Sequence, residues 1–486
     1  MTATMATEPE TSSRPSRLVS TWAPLGVVAL VPLFLLFNRT HQVGDPDTFW
    51  HIRAGDFLLQ SWRLSGPDPW SPFTTNTWVL HEWLPELALS LANRVDGLTG
   101  VAWAWYVGTV LVAFTFYASC RSQGRIVLSA IATVLAMLGA AASLTPRPQL
   151  VSIALSAVVT AAWLSSVRDG RARWWLFPLT WVWACSHGMW FVSPLVGGVV
   201  VVGLLLDRAR TKPLRTLGAL AVACALVGAV TPAGPNLLLA PLSVSGYTRF
   251  VSEWDPPRLS SPPVAVTLML LAVIAAIWVR TGRRPSWGHV LVWVIALGWA
   301  LAYTRTVAIA AAMAAPLVVA GISSVLPSEP AESRAQAVRR RRVEWVTLAG
   351  SLVVSAVLAA LVLPATTASP DRMPTGLDAA LDRLPAGTVV MDEYGLGGYL
   401  RYRHADLVPV IDERTELFAV DHVQAYLDAR GAKPGWTDFL QKTGAKAALV
   451  PTESAIADAL PRQLDWRSLG TSGDYVLLVA PGLSSR

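Results

Sequence analysis

Charge is scarce in this chain. Of its 486 residues only 15% are Asp, Glu, Lys or Arg, where a soluble domain carries about a quarter, and that shortage excludes a freely soluble globular protein. Cysteine is scarcer: Cys120, Cys185 and Cys224 lie in or beside apolar stretches and show no metal-ligand spacing, which excludes a disulfide framework and a cysteine metal site. The pair His81-Glu82 is not a zinc-hydrolase motif, because the position that needs the second histidine, 85, is Pro. The glycines of "GLGG" at 395–398 lack the G-x-G-x-x-G spacing of a dinucleotide loop. No repeat of fixed period is evident.

What the chain has instead is apolar length. Hydrophobic residues make up 53%, tryptophan occurs 22 times, and the mean hydropathy is +0.45. Uncharged runs such as "VGGVVVVGLLL" and "AVTLMLLAVIAAIWV" approach the roughly 20 apolar residues that cross a bilayer as a helix. They predict about eleven spans: 22–37, 103–119, 126–144, 149–166, 174–187, 189–206, 216–231, 263–279, 287–303, 307–325 and 345–363. A re-entrant hairpin fits the two segments flanking His187 as well. The fold class is a polytopic α-helical membrane protein. The polar start, residues 1–20, reads as a disordered cytoplasmic segment, and 21–365 as the transmembrane domain.

The net charge of +7 has a topological explanation. Basic residues cluster between spans, at Arg121 and Arg125; Arg168, Arg171 and Arg173; Arg208, Arg210, Lys212 and Arg215; Arg280, Arg283 and Arg284; and Arg339 to Arg342. Short basic loops mark the cytoplasmic side, and the last cluster also suits anionic lipid. The partner implied by the surplus is the lipid bilayer, not nucleic acid. With the N-terminus inside, every cluster falls inside, and an odd number of spans leaves the C-terminus outside.

The loops on the outer side differ in character. The first, 38–102, opens with "DPDTFWHIRAGD" and continues through a Pro- and Trp-rich turn region to "HEW" and an amphipathic stretch, "LPELALSLANRVDGLTG", that lies along the interface. Asp45 and Asp47 read as a general base, or as a D-x-D pair holding a divalent cation. Equally, Asp47 reads as the N-cap of a helix running through His51. Asp47 and His51, four apart, share a helical face; Arg53 suits a phosphate or a lipid headgroup. Glu82 and Trp83 follow His81, and Arg147, His187, Glu253, Trp254 and Arg305 stand near outer ends of spans. Each alone has a bland reading as an interfacial or snorkelling side chain. Their gathering on one face describes a site.

After the last span, residues 370–486 form an extracytoplasmic α/β domain with strands predicted at 388–393, 407–412, 446–451 and 474–480. Its acids Asp412, Glu413 and Glu416, with Arg414, stand at a strand end, either as a site or as loop acids paired with Arg401 and Arg403.

"GDPDTFWHIRAGD", "LHEWLPE", "TPRPQL", "CSHG", "SEWDPP" and "DEYGLGGYLRYR…VPVIDERTELF" resemble the glycosyltransferase-C superfamily, the multi-span enzymes that use polyprenyl-phosphate sugars. The likeness runs over nearly the whole chain and is closest to a bacterial branch of uncharacterised membrane proteins with a D-x-D-x-x-W-H start. It implies a hexosyl- or pentosyltransferase of the bacterial plasma membrane. The donor is a polyprenyl-phosphate sugar, and the acceptor a glycan, lipid or protein of the cell envelope. The catalytic base falls on Asp47 or Asp45, which also carry any divalent metal ion. Substrate-binding positions are His51, Arg53, His81, Glu82, Trp83, Arg147, His187, Glu253, Trp254 and Arg305. Several family members have paired adjacent acids in this loop, and this chain does not. A non-catalytic scaffold for envelope assembly is the alternative. A transporter of lipid-linked intermediates is disfavoured, because transporters place acids near mid-membrane.

Overall fold

A computed structural model describes residues 14–38, 43–209, 211–238, 246–282, 284–327, 333–366 and 372–483. Residues 1–13, Arg210 and Arg283 lie outside this set. Helix α1 (Arg14–Asn38) begins within the segment expected to be disordered.

The bundle follows apolar length. Among the described residues, Trp83–Arg121, Ile126–Ser143, Gln149–Asp169, Gly188–Leu206, Pro262–Thr281, Thr304–Ser323 and Arg334–Pro364 are seven helices long and apolar enough to cross a membrane; Trp22–Phe37, Leu214–Val230 and Trp287–Ala302 are shorter apolar helices. Within these, α3 is Trp83–Arg121, α4 Ile126–Ala140 and α5 Gln149–Asp169. The expected span at 174–187 is the nine-residue helix α6 (Leu176–Ala184), which rises only about 14 Å. Arg173 pairs with Asp169 at one end of α5 (2.8 Å), while the Trp183 indole N–H donates to Ser152 near the other end (2.7 Å).

Helix α3 explains the long first loop. At Asp96 and Gly97 its backbone leaves helical geometry, so the arm from Trp83 to Val95 packs beside the bundle's end and the membrane-spanning part begins after the kink. The arm corresponds to the stretch that the sequence reads as lying along the interface. Helix α2 (Pro46–Ser61) packs against that arm.

Basic side chains and their partners share the opposite end. Lys212 Nζ donates to the Arg168 carbonyl (2.8 Å), Asp207 accepts from Trp287 N (3.0 Å), and Arg121 pairs with Glu344 (3.1 Å).

The first loop carries a short antiparallel ladder of β1 (Ser65–Gly66) and β2 (Trp78–Val79), and the C-terminal domain is a five-stranded mixed sheet. β3 (Val389–Asp392) pairs in parallel with β4 (Val408–Pro409) and β5 (Ala447–Pro451), and β7 (Tyr475–Val479) lies antiparallel between β5 and β6 (Arg467–Ser472). All four predicted strands are present. β6 was not predicted, because "RSLGTS" has little apolar alternation.

The first outer loop belongs to this domain's core. Leu58, Trp78 and Leu80 cluster with Val410, Phe418 and Tyr426. Asp68 and Asp412 grip the buried Arg414, at 3.1 and 2.6 Å, with its guanidinium over the Trp70 and Trp78 rings. Arg401 lies 4.0 Å from Asp412, as one sequence reading has it; Arg403 pairs instead with Asp378 (3.3 Å). Asp412 is thus internal to the fold, while Glu413 is half-buried and Glu416 exposed.

Candidate functional site

Asp45, Pro46 and Asp47 start α2. Asp45 is extended, and its Oδ1 accepts from Asp47 N (3.1 Å), with Pro46 at the first helical position, where its missing N–H costs nothing. The cap is therefore Asp45 rather than Asp47, since the proline places the helix start one turn position earlier.

Two close approaches fix α2. At Gly55 a Cβ would stand 2.1 Å from the Glu86 carbonyl, so only glycine lets the α3 arm approach this closely. On the other side Gly398 abuts the Pro46 carbonyl, where a Cβ would stand at 2.9 Å, and Phe49 meets the Tyr399 ring edge-on at 5.5 Å. The glycine-rich "GLGG" is thus a docking surface for α2.

The α2–α3 contact brings His51 Nδ1 within 3.2 Å of Glu86 Oε1, and its Nε2 faces Glu82 Oε2 at 3.8 Å. The expected Asp47–His51 pair does not form, because His51 turns to α3 and Asp47 to Arg147. Glu82 Oε1 lies 3.6 Å from His81 Nε2 and 3.7 Å from His187 Nε2. Burial holds His51 down to about 4, with Glu82 and Asp45 pulling the other way. Burial, reinforced by Glu82, pushes Glu86 up to about 8.

Arg147, in the Pro-flanked loop after α4, centres the other half. The Thr48 hydroxyl donates to the Pro146 carbonyl (3.1 Å), seating this loop on α2. Arg147 meets Asp47 directly, Asp45 at 3.3 Å and Glu253 at 2.5 Å. Arg305 reaches Glu253 at 3.7 Å and lies over the Trp254 ring, which meets Tyr303 edge-on at 5.3 Å. Burial opposes the Arg147 charge, but Asp45 and Glu253 outweigh it and hold the guanidinium above its ordinary value. Burial raises Glu253, and Arg147 and Arg305 more than offset it, so its carboxyl sits below the usual range.

Ten of the expected residues therefore meet: Asp45, Asp47, His51, His81, Glu82, Arg147, His187, Glu253, Trp254 and Arg305. Trp83 packs toward the outer domain's apolar cluster. Among the described residues, Arg53 makes no ion pair or hydrogen bond. Sequence reasoning missed Glu86, buried and four residues after Glu82; that i,i+4 spacing on one face was the available signal. It also missed Ser152, whose hydroxyl holds His187 Nδ1 at 2.8 Å.

His51, Glu82 and Glu86 present ligand atoms that all lie within 4.8 Å of one another. Asp45 and Asp47, expected to carry any metal, both meet Arg147.

No family model and no curated protein sequence matches the chain. Solved structures do. The oligosaccharyltransferase of Archaeoglobus fulgidus, in its apo form, is similar over 90% of this chain and 70% of its own, at 12% identity and a TM-score of 0.56. ArnT from Cupriavidus metallidurans, solved bound to undecaprenyl phosphate, is similar over 98% of this chain and all (100%) of its own, at 14% identity and a TM-score of 0.51. The fold is the glycosyltransferase-C fold. In this fold the two groups are joined through α2, which carries Asp47 and His51 and packs against the C-terminal domain at Gly398 and Tyr399.

Proposed function

We propose that this chain is a membrane glycosyltransferase that moves a sugar from a polyprenyl-phosphate donor to a cell-envelope acceptor on the outer face of a bacterial plasma membrane. The N-terminus is then cytoplasmic and the α/β domain extracytoplasmic. The observation that carries the reading is Arg147, buried at the bundle end and shared by Asp45, Asp47 and Glu253, because a charge there is costly without a task. The fold likeness supports the lipid-linked donor class; ArnT was solved with undecaprenyl phosphate bound.

Asp47 is the base. Asp45 Oδ1 is engaged twice, by Asp47 N as the helix cap and by Arg147, whereas Asp47 does not cap the helix and meets Arg147 at Oδ2. Asp47 takes the proton of the acceptor hydroxyl as that oxygen bonds to the anomeric carbon and the bond from carbon to phosphate oxygen breaks. Arg147 and Arg305 stabilise the departing phosphate, and Trp254 offers the sugar an aromatic face. The carboxylates Asp45, Asp47, Glu82 and Glu253 outnumber these arginines. A divalent cation held by His51, Glu82 and Glu86 would supply the positive charge that a phosphate needs beside them; Glu86 Oε2, buried without a hydrogen-bond partner, fits that use.

One observation favours a scaffold: Arg147 is already satisfied by acids, as a structural arginine would be. Sugar transfer decides between them. Purified protein in lipid is offered labelled polyprenyl-phosphate sugars with extracted envelope acceptor. Transfer is expected; its absence across the panel from folded protein favours the scaffold.

A further inference from the structure

We infer that His51, Glu82 and Glu86 bind one divalent transition-metal ion, and that a hydrogen-bond relay, Trp183 to Ser152 to His187, orients Glu82 for it. The class of ion follows from the donors. An imidazole nitrogen with two carboxylates suits Mn²⁺ or Zn²⁺, whereas Mg²⁺ and Ca²⁺ take oxygen ligands. The three ligand atoms already stand within 4.8 Å of one another. Glu86 is only 2% exposed, and its Oε2 has no hydrogen-bond partner, a cost to a buried polar atom that a ligand would remove.

The relay has a fixed direction. An indole N–H only donates, and that of Trp183 donates to Ser152 Oγ (2.7 Å), so the serine's own proton is free to point at His187 Nδ1 (2.8 Å). The backbone N–H of Met189 also donates to Nδ1 (3.1 Å). Nδ1 is therefore an acceptor, and the proton of the neutral ring sits on Nε2, which faces Glu82 Oε1 at 3.7 Å. His187 thus turns an N–H rather than a lone pair toward Glu82, an electrostatic contact longer than a hydrogen bond, and is not a metal ligand. With Oε1 facing His187, the other oxygen, Oε2, faces His51 (3.8 Å). A carboxylate steadied from outside in this way is how metal ligands are held. Ser152 and Trp183 are positioning residues.

The use of the ion in transfer rests on the glycosyltransferase reading, but its binding is measured without substrate. Full-length protein in detergent, stripped with chelator, is titrated with Mn²⁺ and followed by loss of the free-ion paramagnetic resonance signal. One Mn²⁺ per chain is expected, with Mg²⁺ a poor competitor. Glu86→Gln and His51→Gln should weaken binding by at least about 100-fold, and Ser152→Ala by about tenfold with recovery in Ser152→Thr. Asp47→Asn should leave binding unchanged. Melting temperatures without metal show which variants fold, and Glu82→Gln, at a less buried position, serves if Glu86→Gln does not. Folded wild type that binds no ion, equal competition by Mg²⁺, or binding lost in Asp47→Asn but kept in Glu86→Gln overturns the inference. Metal binding without sugar transfer would leave it standing while the functional reading fails.

Discussion

Asp45 and Asp47 reach the same guanidinium, yet only Asp45 also caps a helix. Asparagine caps nearly as well as aspartate, so Asp45→Asn should keep its melting temperature and lose transfer less than Asp47→Asn does. Arg147 is the opposite case. Arg147→Gln leaves Asp45, Asp47 and Glu253 facing one another in a buried setting, which is expected to destabilise the protein by about 3–5 kcal/mol as well as to abolish transfer; denaturant titration beside an activity assay checks both. Most of these residues were legible in the sequence because they break apolar surroundings. Their partners were not. Asp47 suggested His51 by helical spacing, but Arg147 lies 100 positions away, and no local periodicity connects them.

Helix α2 is held between two surfaces that glycine makes possible. Gly55→Ala sets a Cβ 2.1 Å from the Glu86 carbonyl, so α2 must move off the α3 arm. Overpacking of this kind costs about 1–3 kcal/mol, and metal affinity should fall with stability because His51 leaves Glu86. Strand β3 offers a pH test. Asp392 is fully buried, its Oδ1 accepting from Val410 N (2.9 Å) while Oδ2 has no partner. Burial, against the backbone hydrogen bonds, raises its carboxyl well above the usual value. The folded state therefore keeps a proton that the unfolded chain releases above the ordinary carboxylate range. The stability from this group is full below that range and declines as pH rises toward the folded value, by up to about 1.4 kcal/mol per pH unit. Asp392→Asn removes the titration, so its melting temperature should fall less than wild type between pH 5 and pH 8. The strand was predicted from its apolar run, but an acid at the end of that run reads as exposed until its burial is known.

The molecule as a whole was the most legible level. Apolar runs and basic loops carry the bundle, its two unlike ends and the separate α/β domain, because bilayer length and charge asymmetry are properties of the sequence itself. What they could not reveal is that the loop between α1 and α3 is part of the C-terminal domain's core. Asp68 and Arg414, 346 positions apart, join them through a fully buried pair, and turn residues such as "SGPDPW" give no hint of a distant arginine. Asp68→Asn leaves Arg414 with Asp412 alone and is expected to cost about 3–5 kcal/mol. Hydrogen exchange should rise together in the first loop and the sheet; a rise confined to the loop would show that the two are not one unit.

The most direct measurement of the central claim is the single-turnover rate of sugar transfer at saturating polyprenyl-phosphate donor, for wild type and Asp47→Asn. The expected result is transfer by wild type and a rate lower by about 10²–10⁴ in the variant, the contribution of a general base, with donor binding and melting temperature retained. Equal rates in the two proteins would contradict the account.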